Sequence, residues 1–215
     1  MTRGKVLILL AMTACATALS VAPASAFFKA SSGKYPVTIS VSKNEVQKIK
    51  IGTSFELACS VIAMEGSLLG EGSQLTVRPT YSGCSGLLSG TKFSLKLVTN
   101  GCLYNFHQAK GQTLGAMSIE CPSGQTMALE TNLLGCILKI GSNPNLREVH
   151  FEKDGSGSTE EVKIEPILAG IAYTSEKCAG LIEPKGSNMT DEGIILVYGL
   201  AISGGVSERT GILVV

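Results

Sequence analysis

The stretch TNGCLYNFHQAKGQTLGAMSIECPSG, residues Thr99 to Gly124, decides the fold class of this chain. Two cysteines, Cys102 and Cys121, stand symmetrically about a polar, glycine-containing centre. Folded as an antiparallel hairpin with Cys102 facing Cys121, the segment also sets Tyr104 against Ile119 and Phe106 against Met117, an apolar face. The other face sets Leu103 against Glu120, Asn105 against Ser118 and His107 against Ala116, so it is the face expected to meet solvent. One register therefore yields both a cross-strand cysteine pair and the period-two alternation of a half-buried strand. The connection, Gln108 to Gly115, holds the polar and glycine residues that turns prefer.

The same logic extends to the preceding cysteines. Setting Cys59 against Cys84 puts the turn on Gly70-Glu71-Gly72-Ser73 and Glu65 across from Arg78. Ile62/Tyr81 and Leu68/Leu75 become apolar cross-strand pairs, each of a kind that stabilises a sheet by roughly 0.2–1 kcal/mol. Pro79 has no N–H to give a neighbour and requires a strand edge or a bulge. Elimination leaves Cys136 with Cys178, which encloses the longest loop. Of the seven cysteines, Cys15 falls in the N-terminal segment expected to be removed; the other six formally allow about 15 pairings, which the hairpin patterns narrow to a sequential pairing, with a slip by two of the Cys59–Cys84 register as its alternative. A redox or metal role is disfavoured, because no CxxC occurs and the spacings do not suit a zinc ribbon; no metal and no cofactor are expected.

Short alternating runs recur through the rest of the chain, among them PVTISVS, VQKIKI, KFSLKLV, GCILKIG, REVHFEK, EEVKIEPILAGIAYT and EGIILVYGLAIS. Glycine, serine, asparagine and aspartate separate them, a punctuation that signals an all-β protein. The 25 glycines and 7 prolines suit a turn-rich sheet. The expected architecture is an antiparallel β-sandwich or partly closed barrel with disulfide-stapled hairpins.

Residues 1–26, MTRGKVLILLAMTACATALSVAPASA, join a basic start, an apolar run and the small-residue triplet Ala24-Ser25-Ala26. This is the pattern of a cleaved secretory signal. The alternative is lipidation at Cys15, which would anchor the mature chain to a membrane. Residues 27–54 read as N-terminal strands with a loose start from Phe27 to Gly33, and residues 55–215 as the remainder of the same single β domain. The mature chain is close to neutral and carries no basic stripe, so it lacks the counterion-release term that dominates nucleic-acid affinity. Its most apolar segment, GIILVYGLAI, is about half the ~20 residues that a helical membrane span needs. It reads as a buried strand.

Chemistry is sparse. The only histidines are His107 and His150, and the only aspartates Asp154 and Asp191. No G-x-S-x-G, H-E-x-x-H, phosphate-loop or dinucleotide motif accompanies them. Both histidines read as ordinary strand residues. Glu160 and Glu161 point to opposite faces of a strand and cannot flank one bond, and Glu148/Glu152 read with them as a charged hairpin rim. Asp154, Ser156, Ser158 and Glu165 suggest a calcium loop, but Thr159 stands where such a loop needs glycine, so the segment reads as a plain turn. The absence of tryptophan and an aromatic content of 5% leave few platforms for sugars. Asn188-Met189-Thr190 is a glycosylation acceptor only in a suitable host. The chain is therefore expected to be a non-catalytic extracellular or cell-envelope binding or structural module. Its alternatives are a β-barrel carrier of a small apolar ligand and, behind that, a secreted hydrolase. The partner itself is not legible.

The pieces Arg78-Pro79-Thr80-Tyr81-Ser82-Gly83-Cys84, Asn100-Gly101-Cys102-Leu103-Tyr104-Asn105-Phe106-His107 and Ile119-Glu120-Cys121-Pro122-Ser123-Gly124 occur in that order. With GCILKIG and ILAGIAYT they make the chain, from about Phe55 to Cys178, resemble a group of exported actinobacterial proteins. That group shares a signal peptide and stretches like TPTYSGC, NGCTYxFH and IxCPxG. Arg78 and Leu103 depart from it where threonine is expected. The resemblance implies export and an all-β fold, and it carries no assigned activity or active site.

Overall fold

Apolar side chains at every second position bury one edge-on row per strand, and that row organises the chain. The computed structural model describes residues 28–53, 55–88, 90–108, 113–132, 135–156, 160–178, 180–203 and 206–214. Residues 1–26, the expected signal segment with its Cys15, and Phe27 lie outside the described residues. Within them there are sixteen strands and no helix. The first eight are β1 (Phe28–Ala30), β2 (Val37–Asn44), β3 (Gln47–Ile51), β4 (Phe55–Leu68), β5 (Gln74–Leu88), β6 (Thr91–Val98), β7 (Leu103–Gln108) and β8 (Leu114–Glu120). The rest are β9 (Met127–Thr131), β10 (Ile137–Ile140), β11 (Asn143–Asp154), β12 (Glu161–Glu176), β13 (Lys185–Glu192), β14 (Ile195–Ser203), β15 (Val206–Thr210) and β16 (Ile212–Val214).

All pairings are antiparallel, and they close on themselves. One circuit of hydrogen-bonded neighbours runs β3-β4-β5-β6-β9-β10-β12-β13 and returns to β3. A second runs β2-β4-β5-β7-β8-β11-β12-β14 and returns to β2. The long strands β4, β5 and β12 serve both. In β4, residues 55–59 pair with β3 and residues 66–68 with β2. In β12, residues 162–164 pair with β14 and residues 174–176 with β10. Register shifts between Leu168 and Tyr173, with Gly170 at φ 76°, bend β12 between its two partners, as bulges do.

Aromatic side chains fill both halves. Phe151 meets Phe28 and Phe106 edge-on at 5.6 and 6.2 Å, and Phe55 meets Phe93 at 5.5 Å. Leu75, Leu129, Leu138, Val162 and Ile164 are fully enclosed around them.

The hairpin of the opening stretch forms in the expected register, from Leu103 opposite Glu120 to His107 opposite Ala116. Cys59 pairs with Cys84, Cys102 with Cys121 and Cys136 with Cys178, at sequence separations of 25, 19 and 42. Glu65 faces Arg78 and Ile62 faces Tyr81. Pro79 lies where β5 has β4 on one side and no strand on the other, between the parts that pair with β7 and β6.

Four expectations are corrected. The start is not loose, because β1 pairs with β16 and Phe28 is fully buried, exchanging backbone hydrogen bonds with Gly72. Leu68 and Leu75 do not pair. Beyond Gly66 the strands splay, sending Leu68 to Val37 and Leu75 to Phe106. The polar hairpin face is not all solvated, since Asn105 and Ser118 are buried and Ser118 accepts a hydrogen bond from the Asn145 amide. Strand pairing also runs on to Gln108 opposite Gly115, so the turn is shorter than Gln108 to Gly115.

Candidate functional site

Strand β11 combines two register shifts with two non-glycine residues at positive φ. Its register against β8 shifts between Asn143 and Leu146 and again between Arg147 and Val149. Asn145 (φ 55°) and Glu148 (φ 70°) occupy the left-handed region, which costs a residue with a Cβ of order 1 kcal/mol and is held only by surrounding structure. The bulges turn Arg147 and Glu148 outward, both exposed, while Leu146 and Val149 remain buried.

They open onto a groove of about 710 Å³ whose walls include Ser73, His107, Leu114, Asn145, Arg147 and Glu148. The groove lies across β7, β8 and β11, the continuation of the polar hairpin face. Leu114 is 47% exposed and supplies an apolar wall. Among the described residues Arg147 and Glu148 form no ion pair, with each other or with any neighbour. His107 is partly exposed and makes no hydrogen bond to Ser73. One row further along the same face, the buried Asn105 Oδ1 has no hydrogen-bond partner.

A second polar cluster lies inside. Asp191, opposite Ile49 on β3, is 7% exposed and accepts a 2.5 Å hydrogen bond from Gln47 Nε2. Burial pushes its carboxyl up to about 7; the Gln47 hydrogen bond opposes the shift and Glu192 adds to it. The Oε1 of Gln47 is buried without a partner. The Tyr81 and Tyr104 hydroxyls meet at 2.5 Å. Desolvation holds both phenols well above their ordinary range, and the Asp191 charge pushes them the same way. Gln47, Tyr104 and Asp191 are buried and only Tyr81 is partly exposed, so the cluster reads as structure rather than as a place where a ligand is met.

The structure disperses the other titratable candidates. His150 stands opposite Glu165 and Leu114, outside the groove walls. Glu152 and Glu165 both hold Lys163, at 3.1 and 3.2 Å, and raise its pKa. Glu160 is not a rim residue: it is buried and paired with Lys153 at 2.8 Å, while Glu161 pairs with Arg209. Glu148 alone of these carboxylates enters a concavity shared with a histidine. Asp154 and Ser156 begin the proposed turn, whose residues 157–159 lie outside the described residues. No cluster of three metal-ligating side chains occurs among the described residues. Asn188 is exposed and its Oδ1 accepts a hydrogen bond from the Tyr173 hydroxyl.

Sequence reasoning missed Arg147 and Asp191 for different reasons. Arg147 lies in the run REVHFEK without a motif around it, and its prominence comes from the bulges. Asp191 lies on β13, KGSNMTDE, which has two small residues and one large apolar side chain and was passed over as strand. The inward alternation of Met189 and Asp191 was the available signal. No helix among the described residues is long and apolar enough to cross a membrane. No family model, curated protein or solved structure matches this chain.

Proposed function

We propose that the mature protein is a secreted, non-catalytic binding module of the extracellular space or cell envelope, and that the Arg147–Glu148 groove is its recognition site. The observation that carries this reading is the pair of opposite, unneutralised charges that a bulged strand holds at the mouth of a concavity. Binding residues commonly stand on irregular segments positioned by a rigid scaffold, and here the scaffold is two closed strand circuits stapled by three disulfides.

The signal-like N-terminus and the disulfides support export, because disulfides persist in oxidising compartments. A module is favoured over an apolar carrier because aromatic and aliphatic side chains occupy the interior of the strand circuits. It is favoured over a hydrolase because His107 has no bond to the hydroxyl in its groove, where a nucleophile and its base would be hydrogen-bonded.

The test is co-sedimentation of the disulfide-intact mature protein with washed actinobacterial cell walls. The wild type should pellet with the walls. Ala116→Trp, at another residue lining the groove, should stay in the supernatant with an unchanged circular-dichroism spectrum. A wild type that remains soluble, or an A116W variant that still pellets, would overturn the assignment.

A further inference from the structure

We infer that the groove recognises a zwitterionic ligand, one carrying a carboxylate and an ammonium a short distance apart, such as a short peptide with free termini. This inference rests on the proposed binding role and names the chemistry of its ligand.

Several oppositely charged side chains on adjacent strands pair across this surface, Lys163 with Glu152, Lys139 with Glu176 and Lys50 with Glu192, and such exposed pairs contribute little energy. Arg147 and Glu148 are distinguished by their placement. They are consecutive residues, which an ordinary strand would point to opposite faces. The register shift and the left-handed Glu148 instead bring both into the wall of one groove without an ion pair between them. The surrounding sheet holds Asn145 and Glu148 in the left-handed region, and with them this arrangement.

The chemistry of the two groups sets the ligand. A guanidinium offers paired donors in a planar fork that matches a carboxylate. Phosphate would also fit that fork, but the neighbouring Glu148 would repel a dianion more strongly than a carboxylate. Glu148 in turn accepts from an ammonium, which no anionic ligand supplies by itself. Leu114 gives the chain between the two charges an apolar wall. His107 lies in the same groove and adds a ring donor or acceptor for a peptide group.

Amide NMR titration of the mature, disulfide-intact protein with three probes tests the inference: glycylglycine, its N-acetyl derivative without the ammonium, and its amide without the carboxylate. Glycylglycine should give saturable shifts at His107, Ala116, Arg147 and Glu148, and each capped probe should bind about tenfold more weakly. Arg147→Gln should bind glycylglycine about tenfold more weakly and no longer distinguish it from its amide. Glu148→Gln should likewise lose discrimination against the acetylated probe. Absence of saturable shifts, equal binding of all three probes, or retained discrimination in the variants overturns the inference. If the protein pellets with cell walls through the groove yet glycylglycine leaves these residues unmoved, the ligand class falls and the binding role stands. If glycylglycine binds as described but the protein does not pellet, the envelope role falls and the ligand class stands.

Discussion

Replacing Asp191 by asparagine should stabilise the protein in neutral buffer and leave its stability in acid almost unchanged. The native fold holds this carboxyl at about 7 against an ordinary 3.8, chiefly because burial opposes the charge. Between those values the native state keeps a proton that the unfolded chain has released, so the contribution of Asp191 to wild-type stability falls as pH rises from about 4 to about 7. Each pH unit of that interval removes about 1.4 kcal/mol, or about 4 kcal/mol across the whole of it. Below pH 4 both states are protonated and the penalty is absent; above pH 7 it is complete. An asparagine still accepts from Gln47 and has no proton to lose, so the variant escapes the slope. The groups around the site, Tyr81, Tyr104 and Glu192, are common to both proteins and cancel in the difference. The assay is urea unfolding followed by circular dichroism at unit steps from pH 4 to pH 8. The stability difference, variant minus wild type, should climb from near zero to about 4 kcal/mol. A difference that stays flat with pH, or that favours the wild type more as pH rises, would refute the account of a buried, proton-holding carboxyl.

Two further predictions concern the scaffold. At Gly86 a Cβ would lie 2.0 Å from the Phe93 ring, which packs over the glycine from the opposite strand. Gly86→Ala should therefore cost about 1–3 kcal/mol in chemical denaturation, and most of that loss should disappear in a Phe93→Leu background, since the two residues share one space. Among the disulfides, removing Cys136–Cys178 by paired alanines should destabilise more than removing Cys102–Cys121. The loops they close span 42 and 19 residues, worth about 4 and about 3.3 kcal/mol of unfolded-chain entropy. Melting of the two double variants checks the order, and the reverse order would show that native packing at Cys102, rather than loop length, dominates.

The cysteine registers were legible because they are local. Cys102 and Cys121 are joined by a short turn, and one choice of partner aligns every apolar residue between them on one face; a slip by one residue would move them all to the other. Pro79 was legible in the same way, as a residue with no donor that must sit where a strand lacks a second neighbour. What escaped was non-local. Strand β13 has little alternation of its own and exists because β3 and β12 flank it on both sides. Tertiary pairing can override weak strand propensity in this way. Asn143 illustrates the same limit: its side chain donates to the Gly141 and Ala172 carbonyls and accepts from the Ala172 amide, bridging the β10–β11 connection to β12. Nothing near Asn143 in sequence announces that role.

The sequence by itself determined the all-β class, the strand alternation, the three cysteine partners and the register of the two stapled hairpins. These follow from a period of two and from turns that residues close in the chain make with each other, except that the partnership of Cys136 with Cys178 follows by elimination. Only the tertiary structure decided that β4, β5 and β12 join two closed circuits, that Phe28 is packed inside rather than trailing, that Asp191 is sealed from water, and that Arg147 and Glu148 share a groove. Each of these depends on which distant strand lies alongside, and on bulges whose backbone geometry is set by that neighbour rather than by the residues that form them.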